Sequence, residues 1–155
     1  METMYRFFMY CLVGLTCEMV FSVIGINRAL GYKVQRRVPN KYLEGFVSLF
    51  MVPIHGFGVL LVFEPLSFLF VNIHWIFRYI IWSSMFVFAE AFAGFVLDKV
   101  LGFYPWDYYA DSKYRIFKRG YSLWTLLPLW GLYAMFLEVF VKIIYHTSSM
   151  ISTIL

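Results

Sequence analysis

Each of the four long apolar segments of this sequence contains one glutamate. A charge at the centre of a bilayer costs at least about 2.5–3.5 kcal/mol, so we expect these carboxylates to face one another, a cavity or a basic partner. In that position they can carry a proton, bind a cation or a lipid headgroup, or fix helix packing through hydrogen bonds. The four residues are Glu18, Glu64, Glu90 and Glu138.

Two of the glutamates lie on stripes of small residues. Positions three and four apart share one face of a helix, and small residues let helices approach closely, so we expect both stripes to face the interior of a bundle. The similar order of residues in the two stripes is also a weak sign of an internal repeat with parallel halves. The stripes comprise Gly14, Glu18, Ser22 and Gly25 in the first segment and Ser83, Glu90 and Gly94 in the third.

A histidine in the second apolar segment completes an intramembrane candidate site. His55 can be a hydrogen-bonded interior residue, or it can join Glu18 and Glu90 in a site for a cation, a proton or a headgroup. Both interpretations stay open on the sequence alone. In the last segment, Glu138 and Lys142 are four residues apart and are predicted to pair with each other.

A polar and aromatic cluster lies between the third and fourth segments. Tryptophan and tyrosine suit the membrane–water interface, so Trp106 and Tyr108 are predicted to be interfacial. Between them, Asp107 is predicted either to cap a helix or to bind a lipid headgroup.

The sequence has no motif of enzymatic chemistry or metal binding. It contains no Gly-x-Ser-x-Gly element, no P-loop, no HExxH helix and no zinc spacing of Cys and His. No glutamate has a histidine three residues on, the arrangement found in di-metal carboxylate bundles. We therefore predict no metal and no cofactor, and the sequence assigns no catalytic residue.

The composition identifies lipid as the solvent for these segments. Hydrophobic residues make up 62% of the chain and charged residues 14%, whereas soluble domains have roughly 45–50% and about 25%. A helix of about 20 residues crosses the hydrocarbon core. We therefore predict an all-α integral membrane bundle, forming a single domain over residues 1–155, with the second span kinked or broken at Pro53. The predicted spans are residues 5–26, 46–71, 75–101 and 123–145.

Basic residues are concentrated in the two long connections between the spans. Most of the 13 Lys and Arg residues lie in or beside residues 27–45 and 102–122, which the positive-inside rule places in the cytoplasm. Both termini are then predicted on the opposite side. Because the basic residues are confined to short segments between apolar runs, membrane lipids are the predicted partners and nucleic acid is not.

A series of ordered elements runs along the chain: Gly14 with Glu18, Pro53-Ile54-His55-Gly56, Glu64-Pro65, Glu90 with Gly94, Pro105-Trp106-Asp107-Tyr108, and Pro128-Leu129-Trp130-Gly131 with Glu138. In this order they resemble the transmembrane protein 229 family and the related CmpB-like ABC-transporter type IV membrane proteins. The resemblance extends over nearly the whole chain and implies a multi-pass protein of few helices. Its transporter description implies a partner ATPase, since the chain has no nucleotide-binding motif.

Three functions remain open on the sequence. The leading hypothesis is that an acidic intramembrane seam binds or passes a small cation, a proton or a lipid headgroup on the side of Glu18, Glu90 and Asp107. The second is a non-catalytic accessory or assembly subunit that works with a membrane-protein partner. The third is a lipid-modifying membrane enzyme that uses Glu or Asp as an acid–base, and no motif favours it.

Overall fold

The computed structural model of the protein describes residues 1–154, apart from the side chains of residues 40 and 152–154. Within that range, four helices are long and apolar enough to cross a membrane. The prediction of an all-α integral membrane protein with four spans is therefore confirmed. The spanning helices cover Glu2–Ile24, Met51–Leu69, Trp75–Leu101 and Trp124–Ile151.

Six α-helices make up most of the described chain. They are α1 (Glu2–Ile24), α2 (Ile26–Leu30), α3 (Met51–Gly58), α4 (Glu64–Leu69), α5 (Trp75–Leu101) and α6 (Leu127–Ile154). Short 3-10 turns cover Asn40–Tyr42, Asp107–Asp111 and Trp124–Leu126. Two short strands, β1 (Arg115–Ile116) and β2 (Ser122–Leu123), pair antiparallel.

The second span, Met51–Leu69, is built from α3, a π-helical turn at Val59–Phe63, and α4. The span is irregular, as predicted, but the irregularity lies at the π-helical turn and not at Pro53. Pro53 occupies the first turn of α3, where a backbone N–H has no helical acceptor and its absence costs nothing.

The four spans form two hairpins of antiparallel helices. The first hairpin consists of α1 and the second span, and the second hairpin consists of α5 and α6. Glycines allow close approach within both. A Cβ atom at Gly14 would overlap the ring of His55, and a Cβ atom at Gly131 would overlap the side chains of Ser83 and Tyr79.

The two hairpins are joined unevenly. The backbones of α1 and α6 pack closely, whereas few backbone positions of the second span approach α5. There the helices meet through aromatic rings, with the ring centroids of Phe63 and Trp82 4.3 Å apart and those of Phe63 and Phe86 5.6 Å apart. The bundle is therefore more open between the second span and α5 than between α1 and α6.

Residues 102–126, here called the cap segment, cover one end of the bundle. The Tyr32 hydroxyl donates to the Tyr108 carbonyl at 2.6 Å, and the Ser112 hydroxyl donates to the Leu30 carbonyl at 2.7 Å. These hydrogen bonds tie the cap segment to the connection that follows α1. Both long connections therefore meet at the same end of the bundle.

Candidate functional site

A large cavity lies at the capped end of the bundle. Its volume is about 1340 Å³, and residues from all four spans and from the cap segment line it. Three of the predicted site residues, Glu18, His55 and Glu90, are among the lining residues. These three residues therefore line one cavity, and most of its wall is apolar.

The first acidic group of the cavity is paired with a histidine. The His55 Nε2 atom lies 2.9 Å from a carboxylate oxygen of Glu18. The imidazole reaches this position because Gly14 has no side chain to displace it. Ser22, on the same stripe, is buried and holds the end of α1 by donating to the Met19 carbonyl at 2.7 Å. The stripe of small residues on α1 thus faces the interior, as predicted.

The second acidic group is surrounded by neutral donors. Glu90 accepts hydrogen bonds from the Ser122 hydroxyl, from the Trp130 indole N–H at 3.3 Å and from the Tyr109 hydroxyl at 3.5 Å. Among the described residues, no Lys, Arg or His lies within ion-pair distance of it. Glu90 is therefore held in place by hydrogen bonds but has no cationic partner from the chain.

Tyrosines of the cap segment supply protonated hydroxyls beside the acidic groups. Burial raises the pKa of Tyr109 well above its usual value, and the Glu90 carboxylate raises it further. Burial also raises the pKa of Tyr108, with Glu18 making the next contribution. Because a higher pKa favours the neutral phenol, both hydroxyls remain hydrogen-bond donors at neutral pH.

One further hydroxyl at the cavity lacks a partner. Tyr133 on α6 lines the cavity, and its buried hydroxyl makes no hydrogen bond to any described residue. A buried polar group without a partner costs roughly 1–3 kcal/mol. The Tyr133 hydroxyl is therefore available to form a hydrogen bond with a polar group of a molecule in the cavity.

The other two intramembrane glutamates lie at the opposite end of the bundle. Glu64 forms an ion pair with the Arg6 guanidinium at 2.5 Å and accepts a hydrogen bond from the Tyr10 hydroxyl. Glu138 forms an ion pair with Arg78 at 3.2 Å and accepts a hydrogen bond from the Trp82 indole N–H at 2.7 Å. We call these six residues the ionic layer. Neither glutamate lines the cavity, but Trp82 of the ionic layer does, so the layer borders the cavity at this residue.

The partner of Glu138 differs from the one predicted by spacing. Within the described chain its ion pair is with Arg78 of α5 and not with Lys142 of α6. Glu138 is buried at 4% exposure, so its charge is neutralised across the helix–helix interface and not along the surface of its own helix.

Of the three predicted residues of the cap segment, Trp106 and Tyr108 line the cavity and Asp107 does not. Asp107 is exposed and is not among the lining residues. Trp106 is buried inside the cap segment, where its indole N–H donates to the Tyr121 carbonyl at 2.8 Å. Tyr108 is half-buried and lines the cavity. The cap segment therefore contributes its aromatic residues to the site, whereas its aspartate lies outside.

The two hairpins repeat one set of contacts in the ionic layer. In each hairpin, the first helix has an arginine and, one turn later, an aromatic residue that donates a hydrogen bond. Both side chains contact the same glutamate on the second helix of that hairpin. These residues are Arg6, Tyr10 and Glu64 in the first hairpin and Arg78, Trp82 and Glu138 in the second. The weak repeat predicted from the sequence is thus visible as matching geometry.

The correspondence continues into the cavity. Glu18 follows Arg6 at the same spacing as Glu90 follows Arg78, and each of these glutamates meets a ring nitrogen of the second helix. The pairs are Glu18 with His55 and Glu90 with Trp130. A glycine after each ring residue accommodates a ring of the first helix. These contacts are Gly56 with Phe7 and Gly131 with Tyr79.

The hairpins differ in length by one residue in their second helices. The interval from Gly56 to Glu64 is one residue longer than the interval from Gly131 to Glu138. The π-helical turn at Val59–Phe63 lies within the longer interval. By widening the helix locally, it absorbs the extra residue and keeps His55 and Glu64 on the face that packs against α1.

The donors around Glu90 and the arginines of the ionic layer are the site residues that the sequence reasoning missed. Arg6 and Arg78 lie outside the two basic connections, in or beside the apolar segments. The shared spacing from each arginine to a glutamate on the same helix would have identified both. Nothing in the local sequence marks Ser122 or Tyr109 as a partner of Glu90, because these contacts depend on the folding of the cap segment.

Within the described residues, no three Asp, Glu, His or Cys side chains group as metal ligands. No family model, curated protein or solved structure matches the chain.

Proposed function

We propose that the protein binds an amphipathic, lipid-like molecule in its intramembrane cavity. The polar group of the ligand contacts Glu18, His55 and Glu90, and its apolar part lies against the remaining wall. The observation that supports this proposal is that these three side chains line one cavity of about 1340 Å³. Pockets for drug-sized ligands are typically about 300–1,000 Å³, so the space exceeds what a proton or a single ion needs.

Access from the bilayer supports the same proposal. The second span and α5 make few close backbone approaches, and the cavity is lined there by residues that are also exposed on the outer surface. These residues are Gly58, Val62 and Ala89. Two of the three are small, so a chain-like molecule in the membrane meets few bulky side chains here, beside the ring contacts of Phe63.

Neutralising both acidic groups is expected to reduce the amount of copurifying amphiphile. For the double variant Glu18→Gln/Glu90→Gln, we expect roughly a tenfold fall, as loss of about 1.4 kcal/mol of binding free energy would give. The measurement is mass spectrometry of lipids extracted from protein purified in polymer-bounded native membrane discs. The control is Asp107→Asn, which makes the same chemical change at an exposed position outside the cavity. Equal ligand content in both variants and the unchanged protein would contradict the proposal.

An accessory subunit of a membrane complex is the second candidate function. The ionic layer favours it, because two of the four intramembrane glutamates are fully engaged in helix packing. It is also what the resemblance to CmpB-like transporter proteins implies. Recovery of a stoichiometric partner in the same membrane discs, with no enriched amphiphile, would favour this function over ligand binding.

We further propose that the capped end of the bundle faces the cytoplasm. The exposed basic residues of both long connections lie at this end, and the positive-inside rule assigns such loops to the cytoplasm. A tag at the C-terminus is then expected to resist protease added from the cytoplasmic side, while a tag inserted after Lys118 is cut. Cleavage of the C-terminal tag under these conditions would reverse the orientation.

A further inference from the structure

We infer that the polar group bound by the cavity is a cationic ammonium group. The inference rests on the proposed binding of an amphipathic molecule and specifies its chemical class. The four intramembrane glutamates differ in their partners. Three of them have a basic partner within 4 Å: Glu18 with His55, Glu64 with Arg6 and Glu138 with Arg78. The fourth, Glu90, has only neutral donors.

Comparison of the two hairpins shows which position beside Glu90 lacks a basic residue. His55 in the first hairpin and Trp130 in the second occupy corresponding positions, and each offers a ring nitrogen to the glutamate of its own hairpin. An imidazole can carry a positive charge, whereas an indole cannot. The second hairpin therefore keeps the hydrogen bond of the first but lacks the group that could neutralise its glutamate.

The wall around Glu90 suits an ammonium group. The rings of Tyr108, Tyr109 and Trp130 line this part of the cavity, and Phe86 stacks on Trp130 with ring centroids 5.3 Å apart. Ammonium groups bind aromatic faces through cation–π attraction, which strengthens when water is excluded. The Glu90 carboxylate and the aromatic faces around it therefore form a suitable binding site for an ammonium group.

The other charged groups of the cavity fit the same assignment. Glu18 adds a second carboxylate, and its His55 partner neutralises it only when the imidazole is protonated. Arg28 also lines the cavity but is exposed at the capped end, where it can accommodate the phosphate of a zwitterionic headgroup. An anionic amphiphile without an ammonium group would place its charge against two carboxylates.

The test compares single-chain probes of one chain length with different headgroups. The probes are an alkyltrimethylammonium, an alkylphosphocholine, an alkanol and an alkylsulfonate, each competing with the radiolabelled alkyltrimethylammonium for protein in lipid nanodiscs. We expect both ammonium probes to compete at least about tenfold more strongly than the alkanol and the alkylsulfonate. If the alkylphosphocholine competes more strongly than the unlabelled alkyltrimethylammonium, the preferred source is a zwitterionic headgroup, and the assignment of an ammonium group is supported.

Two variants separate recognition of charge from folding. Glu90→Gln is expected to abolish the preference for ammonium while binding of the alkanol is unchanged. Trp130→His places a basic ring where the first hairpin has one and is expected to remove the same preference without removing the carboxylate. Asp107→Asn is expected to behave as the unchanged protein.

The possible outcomes separate the binding of an ammonium group from the more general binding of an amphipathic molecule. If all four probes bind equally well, the cavity is an amphiphile site and the ammonium assignment is overturned. If none binds, the proposed function fails, and the inference fails with it. If the preference for ammonium survives in both Glu90→Gln and Trp130→His, the recognition site lies elsewhere in the molecule.

Discussion

Replacement of Arg78 by alanine is expected to lower the free energy of unfolding by about 3–5 kcal/mol, the cost of leaving one member of a buried ion pair without its partner. The Arg78 side chain is 15% exposed and that of Glu138 is 5% exposed, so little water can compensate. The measurement is denaturant-induced unfolding in lipid bicelles, followed by tryptophan fluorescence and circular dichroism.

Two further variants show whether the loss of stability in Arg78→Ala comes from the broken ion pair. Arg78→Met/Glu138→Leu removes both charges and is expected to recover most of the stability, because a buried ion pair can be replaced by apolar side chains at little cost. Arg37→Ala removes an arginine from an exposed position in the first long connection and is expected to change stability by less than about 0.5 kcal/mol. If Arg78→Ala costs no more than Arg37→Ala, the ionic layer does not stabilise the bundle.

Substitution of Gly14 by alanine is expected to lower the free energy of unfolding by about 1–3 kcal/mol through overpacking. Its Cβ atom would overlap the His55 ring, and displacement of the ring would also break the contact with Glu18. We therefore expect lower stability together with a lower content of copurifying amphiphile. Both quantities can be measured on the same preparation in native membrane discs.

Gly58 provides a matched control for this substitution. It also lies in a spanning helix, but nothing lies within 4 Å of the position that its Cβ would take. An alanine there is expected to leave stability unchanged or to raise it by about 0.4–1 kcal/mol, since it restricts the unfolded chain. Equal effects of Gly14→Ala and Gly58→Ala would show that α1 and the second span are not as close as the structure places them.

The sequence was sufficient to predict the spans and part of the site. Hydrophobic length identified all four helices, because a bilayer requires each to be long and apolar whatever its neighbours are. The stripe containing Gly14 and Glu18 was also predicted correctly, since small and charged residues avoid lipid for independent reasons. In the structure, Glu90 is among the residues that line the cavity.

What the sequence could not supply were the partners of these residues. Glu138 has a basic residue four positions away on its own helix, and only the packing of α5 against α6 shows that Arg78 is its partner. The position of Asp107, exposed and outside the cavity, follows from the fold of the cap segment and not from the aromatic residues that flank it. Pairings of this kind depend on tertiary contacts between segments that are distant along the chain.

The π-helical turn is a third feature that local sequence did not reveal. Pro53 is the most conspicuous irregular residue of the second span, yet its place in the first turn of α3 leaves the helix intact. The run at Val59–Phe63 is uniformly apolar and gives no local signal of a change in helix type. Only comparison of the two hairpins, one residue different in length, explains its position.

The distribution of the ionic layer bears on how the chain is inserted during synthesis. Arg6 and Glu64 both belong to the first hairpin, and Arg78 and Glu138 both belong to the second. Each hairpin therefore contains the counterion for its own buried arginine, and the cost of moving a lone charge into hydrocarbon is avoided. As a result, the first hairpin can leave the translocon and enter the bilayer while the second is still being translated.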